Sequence, residues 1–177
     1  MRISKDLPLP DLAALICDTC RKNGVDVVLS GGACVSIYAK NKYESFDLDF
    51  VLMSHTGRKK IGPVLEKLGF RKDGRHYRRP DNPYIIEFLS PPLSVGEEPV
   101  REIHEIRRGR RTLRLLSPTD CVKDRLAAYY HWNDPPSLAQ ALLVCREARV
   151  DLREVRRWSV NEGMKDKFEL FREALSK

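Results

Sequence analysis

Apolar and polar positions along the chain predict an α/β half followed by a helical half. Apolar side chains at helical spacing, with Asn23-Gly24 as a stop signal, predict a first helix over 8–22. Short apolar runs between turn residues predict strands over 25–29, 46–53, 84–89 and 112–116. Helical patterns in the first half also cover 31–40 and 56–68.

The remaining segments give weaker signals. We predict a basic hairpin within 70–79, a turn at 81–83, a Pro-containing loop over 90–99, and a strand or short helix over 100–106. After Ser117 only helices are predicted, over 119–131, 137–147, 152–158 and 164–175. The expected architecture is an α/β core over 1–116, with a short mixed sheet flanked by helices, and a helical bundle over 117–177.

Two carboxylates, Asp47 and Asp49, interrupt the apolar run from Phe46 to Met53. Side chains on a strand alternate between faces, so both acids lie on one face, while Phe46, Leu48 and Phe50 are expected to face a core. Adjacent like charges repel each other, and a divalent cation relieves that repulsion because carboxylate oxygens are good Mg²⁺ ligands. The alternative is a solvated edge strand with two surface acids.

A glycine pair, Gly31-Gly32, follows the first predicted strand and precedes a predicted helix. Backbone N–H groups at such a helix start can bind a phosphate. A glycine pair alone usually marks a tight turn, but together with Asp47 and Asp49 it matches what a metal-bound nucleoside triphosphate requires.

Glu87, in the strand predicted over 84–89, is the candidate third acid. Ile86 and Phe88 face opposite to it, and Glu87 completes a three-acid metal site if the two acidic strands are neighbours. Two Mg²⁺ ions about 4 Å apart are the usual requirement of nucleotidyl transfer. The alternative is a surface residue on an amphipathic strand.

These residues resemble the nucleotidyltransferase superfamily of the DNA polymerase β type. The resemblance rests on Leu29-Ser30-Gly31-Gly32 and on Tyr43-Glu44-Ser45-Phe46-Asp47-Leu48-Asp49-Phe50. It is strongest to minimal bacterial enzymes, which include the nucleotidyltransferase toxins of abortive-infection toxin–antitoxin systems. The run from Leu115 to Lys123 is also similar to their link into the helical part.

The resemblance implies a role for each matching residue. Ser30, Gly31 and Gly32 would hold the triphosphate of an NTP substrate. Asp47 and Asp49 would bind two Mg²⁺ ions, and Glu87 would be the catalytic acid nearest the attacking hydroxyl. Lys123, on the first helix of the helical part, would neutralise phosphate charge, although a lysine on an exposed helix face is also ordinary.

A net charge of +7 favours an anionic partner without identifying it. Two arginine-rich clusters flank the Glu87 strand in sequence, so both could rim the metal site, where positive charge would suit an RNA or tRNA acceptor. The alternative is a pair of solvated hairpins. The hairpin cluster comprises Arg71, Lys72, Arg75, Arg78 and Arg79, and the second cluster comprises Arg107, Arg108, Arg110, Arg111 and Arg114.

The sequence therefore predicts Mg²⁺-dependent transfer of a nucleoside monophosphate from an NTP to an acceptor hydroxyl on RNA, protein or a small molecule. One alternative is a catalytically silent nucleotidyltransferase fold that binds a partner, and another is a nucleic-acid-binding module. An antitoxin partner is possible if the chain belongs to a toxin–antitoxin pair. Residues 1–6 lack an apolar core, and no segment reaches the length of a membrane span, so we expect a cytoplasmic protein without membrane contacts.

Overall fold

A computed structural model describes residues 7–40 and 42–177, and within them the chain folds into nine strands and seven α-helices. Residues 1–6, on which the expected cytoplasmic location depends, lie outside the described residues. The strands are β1 (Val27–Ser30), β2 (Asp47–Leu52), β3 (Arg71–Asp73), β4 (His76–Arg79), β5 (Asn82–Leu89), β6 (Ser94–Val95), β7 (Glu98–Pro99), β8 (Ile103–Arg108) and β9 (Arg111–Leu116).

The helices agree with the sequence prediction to within a few residues. They are α1 (Leu9–Lys22), α2 (Gly31–Tyr38), α3 (Arg58–Lys67), α4 (Pro118–Trp132), α5 (Pro135–Glu147), α6 (Leu152–Asn161) and α7 (Lys165–Leu175), with a 3-10 turn at His55–Gly57 before α3. Within the described part of the chain, none of these helices is long and apolar enough to cross a membrane.

Seven of the strands form one mixed sheet in the order β3-β4-β5-β2-β1-β9-β8. The central strand β2 runs antiparallel to β1 and parallel to β5, and β1 runs parallel to β9. The two acidic strands, β2 and β5, are therefore direct neighbours. This adjacency is the condition that the sequence-based metal-site hypothesis required.

The core lies between the sheet and the helices that cover it. Leu48, Phe50 and Ile86 are fully buried on the sheet face opposite the acids, and Phe50 stacks on Phe88 with ring centroids 5.6 Å apart. The alternation predicted for Leu48 and Phe50 is thus confirmed. It was wrong for Phe46, which remains 47% exposed because it lies just before β2 and packs against Tyr84.

Two other differences concern the turns. Asn82 and Pro83, predicted as part of a turn, are the first residues of β5. The predicted loop over 90–99 contains the short hairpin β6–β7. The Trp158 indole on α6 donates a hydrogen bond to the Val95 carbonyl at 3.2 Å, so the helical part holds this hairpin in place.

The helical part packs on α2 as well as on itself. Trp158 is fully buried and stacks on Tyr130 of α4, with centroids 5.7 Å apart. The Tyr38 hydroxyl of α2 donates to the Leu116 carbonyl at 2.6 Å, directly before α4 begins. This contact fixes the start of α4 relative to the helix that follows the glycine pair.

Candidate active site

The end of β1 and the start of α2 form one wall of the candidate site. Ser30 and Asp49 are partners in the β1–β2 ladder, and the Ser30 hydroxyl donates to the Asp49 carbonyl at 3.2 Å. Gly31 has φ of +67°, and a β-carbon at this position would come within 2.7 Å of Asp49 Oδ2. Glycine is therefore required here both by backbone conformation and by the approach of the carboxylate.

The first backbone N–H groups of α2 are available at this wall. The opening N–H groups of a helix have no partner within the helix, and Ser30 does not cap them with its side chain. Gly32 lies under the hydroxyl groups of Tyr43 and Ser45, which a β-carbon would meet at 3.3 and 3.2 Å. An anion such as a phosphate can occupy this helix start next to Asp49.

Asp47, Asp49 and Glu87 share one face of the sheet. Asp49 is in register with Glu87 across the parallel β2–β5 pair, and Asp47 is in register with Ile85. Residues in register point the same way, so the carboxylates of both strands lie on the same side. The tertiary structure thus places all three acids that the sequence singled out on one sheet face.

The electrostatics of Asp49 show that these charges interact. Burial, together with the negative charges of Glu87 and Asp47, raises the pKa of Asp49 to about 6. An ionised Asp49 is therefore costly in the folded protein unless a cation compensates it. Such a cost at a clustered set of carboxylates is typical of a functional site.

Glu87 is also in contact with the β3–β4 hairpin. Its Oε1 lies 3.4 Å from Arg75 Nε, and its Oε2 lies 3.3 Å from His76 Nε2. His76 is the β4 partner of Glu87 in the antiparallel ladder, so the two share a face.

Within residues 7–40 and 42–177, no group of three or more His, Cys, Asp or Glu side chains lies close enough together to hold a metal ion. The residues nevertheless fit Mg²⁺ in chemistry, because the donors are all carboxylates and the ionised form of Asp49 is costly beside Glu87 and Asp47.

Lys123 contacts other carboxylates than Asp47, Asp49 and Glu87. Its side chain is buried, with Nζ 2.7 Å from Glu154 Oε1 on α6 and 3.2 Å from Asp120 Oδ1 on α4. The face of α4 that carries Lys123 packs toward α6, so its charge is already neutralised there. The proposed contact with phosphate would require this buried pair to break.

Arg125, which sequence reasoning missed, is the basic residue that α4 directs toward the acids. The positive charge of Arg125 lowers the pKa of Asp49, which places Arg125 near the acids. The Cys121 thiol, one turn earlier on α4, is hydrogen-bonded to Cys34 of α2. Asp124 and Gln140 accept hydrogen bonds from the Arg125 guanidinium. The helical phase of α4, with Cys121 and Arg125 on one face and Lys123 on the other, was the sequence signal available.

The two basic clusters lie at opposite edges of the sheet, so the expectation that both rim the site was wrong. The hairpin cluster is on β3 and β4, beside Glu87. The second cluster is on β8 and β9, where Arg108 pairs with Asp11 of α1 at 2.9 Å and Arg114 lies 3.4 Å from Asp26. The sheet order, which sequence spacing does not reveal, separates them.

Comparison with solved structures identifies the fold. An antigenic nucleotidyltransferase-like protein from Paracoccidioides brasiliensis matches 82% of this chain and 78% of its own, with a TM-score of 0.62 and 13% identity. ANT(2″)-Ia in complex with adenylyl-2″-tobramycin matches 93% and 97%, with a TM-score of 0.54 and 14% identity. The solution structure of this antibiotic-resistance factor matches 96% and 97%, with a TM-score of 0.56 and 14% identity.

No protein-family model and no curated protein matches the sequence. At 13–14% identity, the structural likeness shows the fold alone. The chain thus has a mixed α/β nucleotidyltransferase fold, and the fold class predicted from the sequence is confirmed. The division at residue 116 and the roles of the individual site residues stay predictions.

Replacement of Gly31 by alanine tests the wall formed by β1 and α2. We expect Gly31→Ala to lower the free energy of unfolding by about 1–3 kcal/mol, because alanine strains the positive φ and meets the Asp49 carboxylate. We also expect it to abolish the thermal shift produced by Mg²⁺ and NTP. Gly62→Ala in α3, whose β-carbon would meet only Tyr77 Oη at 3.9 Å, is the matched control and should be neutral or stabilising. Unchanged stability and unchanged nucleotide binding in Gly31→Ala would contradict this account.

The raised pKa of Asp49 gives a pH-dependent stability. The folded state holds this proton up to about pH 6, whereas the unfolded state releases it near 3.8. The Asp49 contribution is therefore full below pH 3.8 and is lost as the pH rises through 6. Without metal at pH 8, the free energy of unfolding of Asp49→Asn should exceed that of the wild type by about 1–3 kcal/mol. At pH 4 the two free energies of unfolding should be equal. Mg²⁺ should stabilise only the wild type, and equal stability of the two at pH 8 would contradict the assignment.

Arg125 and Lys123 offer a paired test on one helix. Arg125→Ala should weaken Mg²⁺–NTP binding about tenfold or more, because a partly buried cation beside the phosphates is lost. Lys123→Met should lower the melting temperature, since Asp120 and Glu154 lose their shared cation, and should leave nucleotide affinity unchanged. Isothermal titration and thermal unfolding measure the two effects. Weaker nucleotide binding by Lys123→Met, with unchanged binding by Arg125→Ala, would instead assign the phosphate contact to Lys123.

Proposed function

We propose that this protein transfers a nucleoside monophosphate from an NTP to an acceptor hydroxyl, with Mg²⁺ as cofactor. The observation that carries the proposal is the shared sheet face of Asp47, Asp49 and Glu87 next to the uncapped start of α2. The likeness in fold to nucleotidyltransferase-like proteins supports it independently.

Basic groups of the site would bind the triphosphate, and its carboxylates would bind the metal ions. The backbone N–H groups at Gly31 and Gly32 and the Arg125 guanidinium offer positive potential to the triphosphate. Asp47 and Asp49, with Glu87, are the carboxylates that would hold two Mg²⁺ ions. When bound, these ions neutralise phosphate charge and activate the attacking oxygen.

Transfer forms a bond between the acceptor oxygen and the α-phosphorus. The bond from that phosphorus to the bridging oxygen breaks, and pyrophosphate leaves with its electron pair. Glu87 accepts the proton of the acceptor hydroxyl once its carboxylate has left Arg75 and His76. The Arg75 guanidinium then holds the acceptor side of the site at positive potential.

A second candidate function is a catalytically silent nucleotidyltransferase fold that binds without turnover. The contacts of Glu87 with Arg75 and His76 favour it, since they occupy the third acid. The raised pKa of Asp49 favours the enzyme, because a silent fold gains nothing from a buried, repelled carboxylate.

The acceptor is the finer part of the proposal. ANT(2″)-Ia has been observed with adenylyl-2″-tobramycin, so an acceptor hydroxyl on a small molecule is one class to test beside RNA and protein. The toxin–antitoxin role stays a prediction from the sequence resemblance, and a gene neighbour that encodes an antitoxin is its test.

Activity is measured as transfer of label from each α-labelled NTP to total RNA, to the protein itself and to an aminoglycoside. We expect label on one acceptor class in the presence of Mg²⁺, and at least a 100-fold loss in Asp49→Asn and Glu87→Gln. Thermal shift with Mg²⁺ and NTP is run on the same samples. Nucleotide binding without transfer to any acceptor would favour the silent fold, and absence of nucleotide binding would reject the enzyme and leave the silent fold that binds a partner.

A further inference from the structure

The Arg125 guanidinium is held by one neighbour on α4 and one on α5. Asp124 Oδ2 accepts a hydrogen bond from Arg125 Nε at 2.9 Å and a second one from Nη2. Gln140 Oε1 accepts from Nη1 at 3.4 Å. The side chains of Arg125 and Asp124 are only 18% and 24% exposed, so this ion pair is largely withdrawn from water. The guanidinium is therefore fixed in one orientation before any ligand is present.

The contact between Asp124 and Arg125 is unusual for successive residues of a helix. Such residues point about 100° apart around the helix axis and do not ordinarily face each other. In residues 7–40 and 42–177, the Asp124 carboxylate has no hydrogen-bond or ion-pair partner besides Arg125. Burial opposes the charge of Arg125, but the charge and hydrogen bonds of Asp124 raise the pKa of the guanidinium. Asp124 thus serves to orient and stabilise this one cation.

The pair lies beside the acids of the candidate site. Burial and the neighbouring acids act most strongly on the pKa of Asp49; next, the charge of Arg125 lowers this pKa and the charge of Asp124 raises it. One turn earlier, the Cys121 thiol contacts Cys34 in α2, which holds this part of α4 against the helix that follows the glycine pair. The guanidinium therefore lies on the side of the site where we propose that the triphosphate binds.

The hydrogen bonds of Arg125 leave part of its guanidinium available. A guanidinium has five N–H donors in a rigid planar fork. Asp124 and Gln140 together take three of them, so one donor on Nη1 and one on Nη2 have no partner among the described residues. Two donors on the terminal nitrogens suit the bidentate contact that arginine makes with a phosphate.

We propose that Asp124 is a positioning residue that, together with Gln140, holds the Arg125 guanidinium as a two-donor clamp for the β- and γ-phosphates of the NTP. This inference rests on the proposed function and assigns the orientation of its phosphate contact. Because the guanidinium is ordered before the nucleotide binds, binding does not have to fix a free side chain. During transfer the same clamp stabilises the charge that develops on the leaving pyrophosphate.

Two other roles of Asp124 lead to different expectations. If its carboxylate only added negative charge beside the acids, its removal would strengthen the binding of an anionic nucleotide. If Asp124 were a metal ligand, its removal would weaken Mg²⁺–NTP binding whether or not Arg125 is present. A positioning role requires weaker binding only while Arg125 is present.

The test is isothermal titration of Mg²⁺–ATP, and of the other three NTPs in the same way, into the wild type, Asp124→Ala, Arg125→Ala and the double variant. We expect Asp124→Ala to weaken NTP binding about three- to tenfold, although it removes a negative charge. In the Arg125→Ala background, the same replacement should leave the affinity unchanged or increase it. Binding of the corresponding nucleoside monophosphate should change less than about twofold, because it lacks the β- and γ-phosphates.

Asp11→Ala is the matched control. Asp11 accepts hydrogen bonds from Nε and Nη2 of Arg108 at 2.9 and 3.2 Å, which is the same contact at the far edge of the sheet. Its removal should change NTP affinity less than about twofold, since Arg108 lies on β8. Asp124→Asn retains an acceptor oxygen and should recover part of the affinity that Asp124→Ala loses.

The outcomes separate this inference from the proposed function. Binding by Asp124→Ala as tight as that of the wild type, or tighter, would overturn the positioning role, and so would equal weakening in the Arg125→Ala background. Equal weakening of monophosphate binding would overturn the assignment to the β- and γ-phosphates. In each of these cases a wild type that binds Mg²⁺–NTP leaves nucleotidyl transfer standing. A wild type that binds none of the four NTPs would overturn both proposals. If the melting temperature shows that Asp124→Ala does not fold, Asp124→Asn carries the same comparison.

Discussion

Repulsion between carboxylates on one sheet face is the constraint around which this site is arranged. Asp49 is partly buried beside Asp47 and Glu87, which raises its pKa to about 6. Gly31 leaves room for the Asp49 carboxylate, and Ser30 fixes the Asp49 backbone. These features reduce the strain of the arrangement without removing its charge. The ionised form of Asp49 is therefore costly, and the proposed role of a cation is to compensate this charge.

The opposite charge is concentrated on the next strands. Glu87 is paired with Arg75 and His76 on the hairpin, and Arg71 faces Arg78 two residues further along β4. The sheet therefore carries repelled acids on its central strands and repelled bases on its edge strands. Each set is costly alone, because like charges repel each other across neighbouring strands.

Much of the fold followed from local pattern. The helices over residues 8–22 and 119–131 were predicted because their apolar spacing and stop signals are local properties, and β2 was recognised from its alternation. Errors arose where neighbours in space decide the outcome. Asn82 and Pro83 extend β5 because β4 pairs with them, and Phe46 is exposed because the strand begins one residue later and Tyr84 supplies its partner.

The sequence by itself determined the acid pair, the glycine pair and the candidate third acid, because alternation on a strand and the conformational freedom of glycine are properties of short segments. Only the tertiary structure decided which residues accompany them. The register of β2 with β5 brings Glu87 to Asp49, the helical phase of α4 directs Arg125 rather than Lys123 toward the acids, and the strand order sends the two basic clusters to opposite edges. Each of these depends on pairing between segments distant in the chain, which residue spacing does not encode.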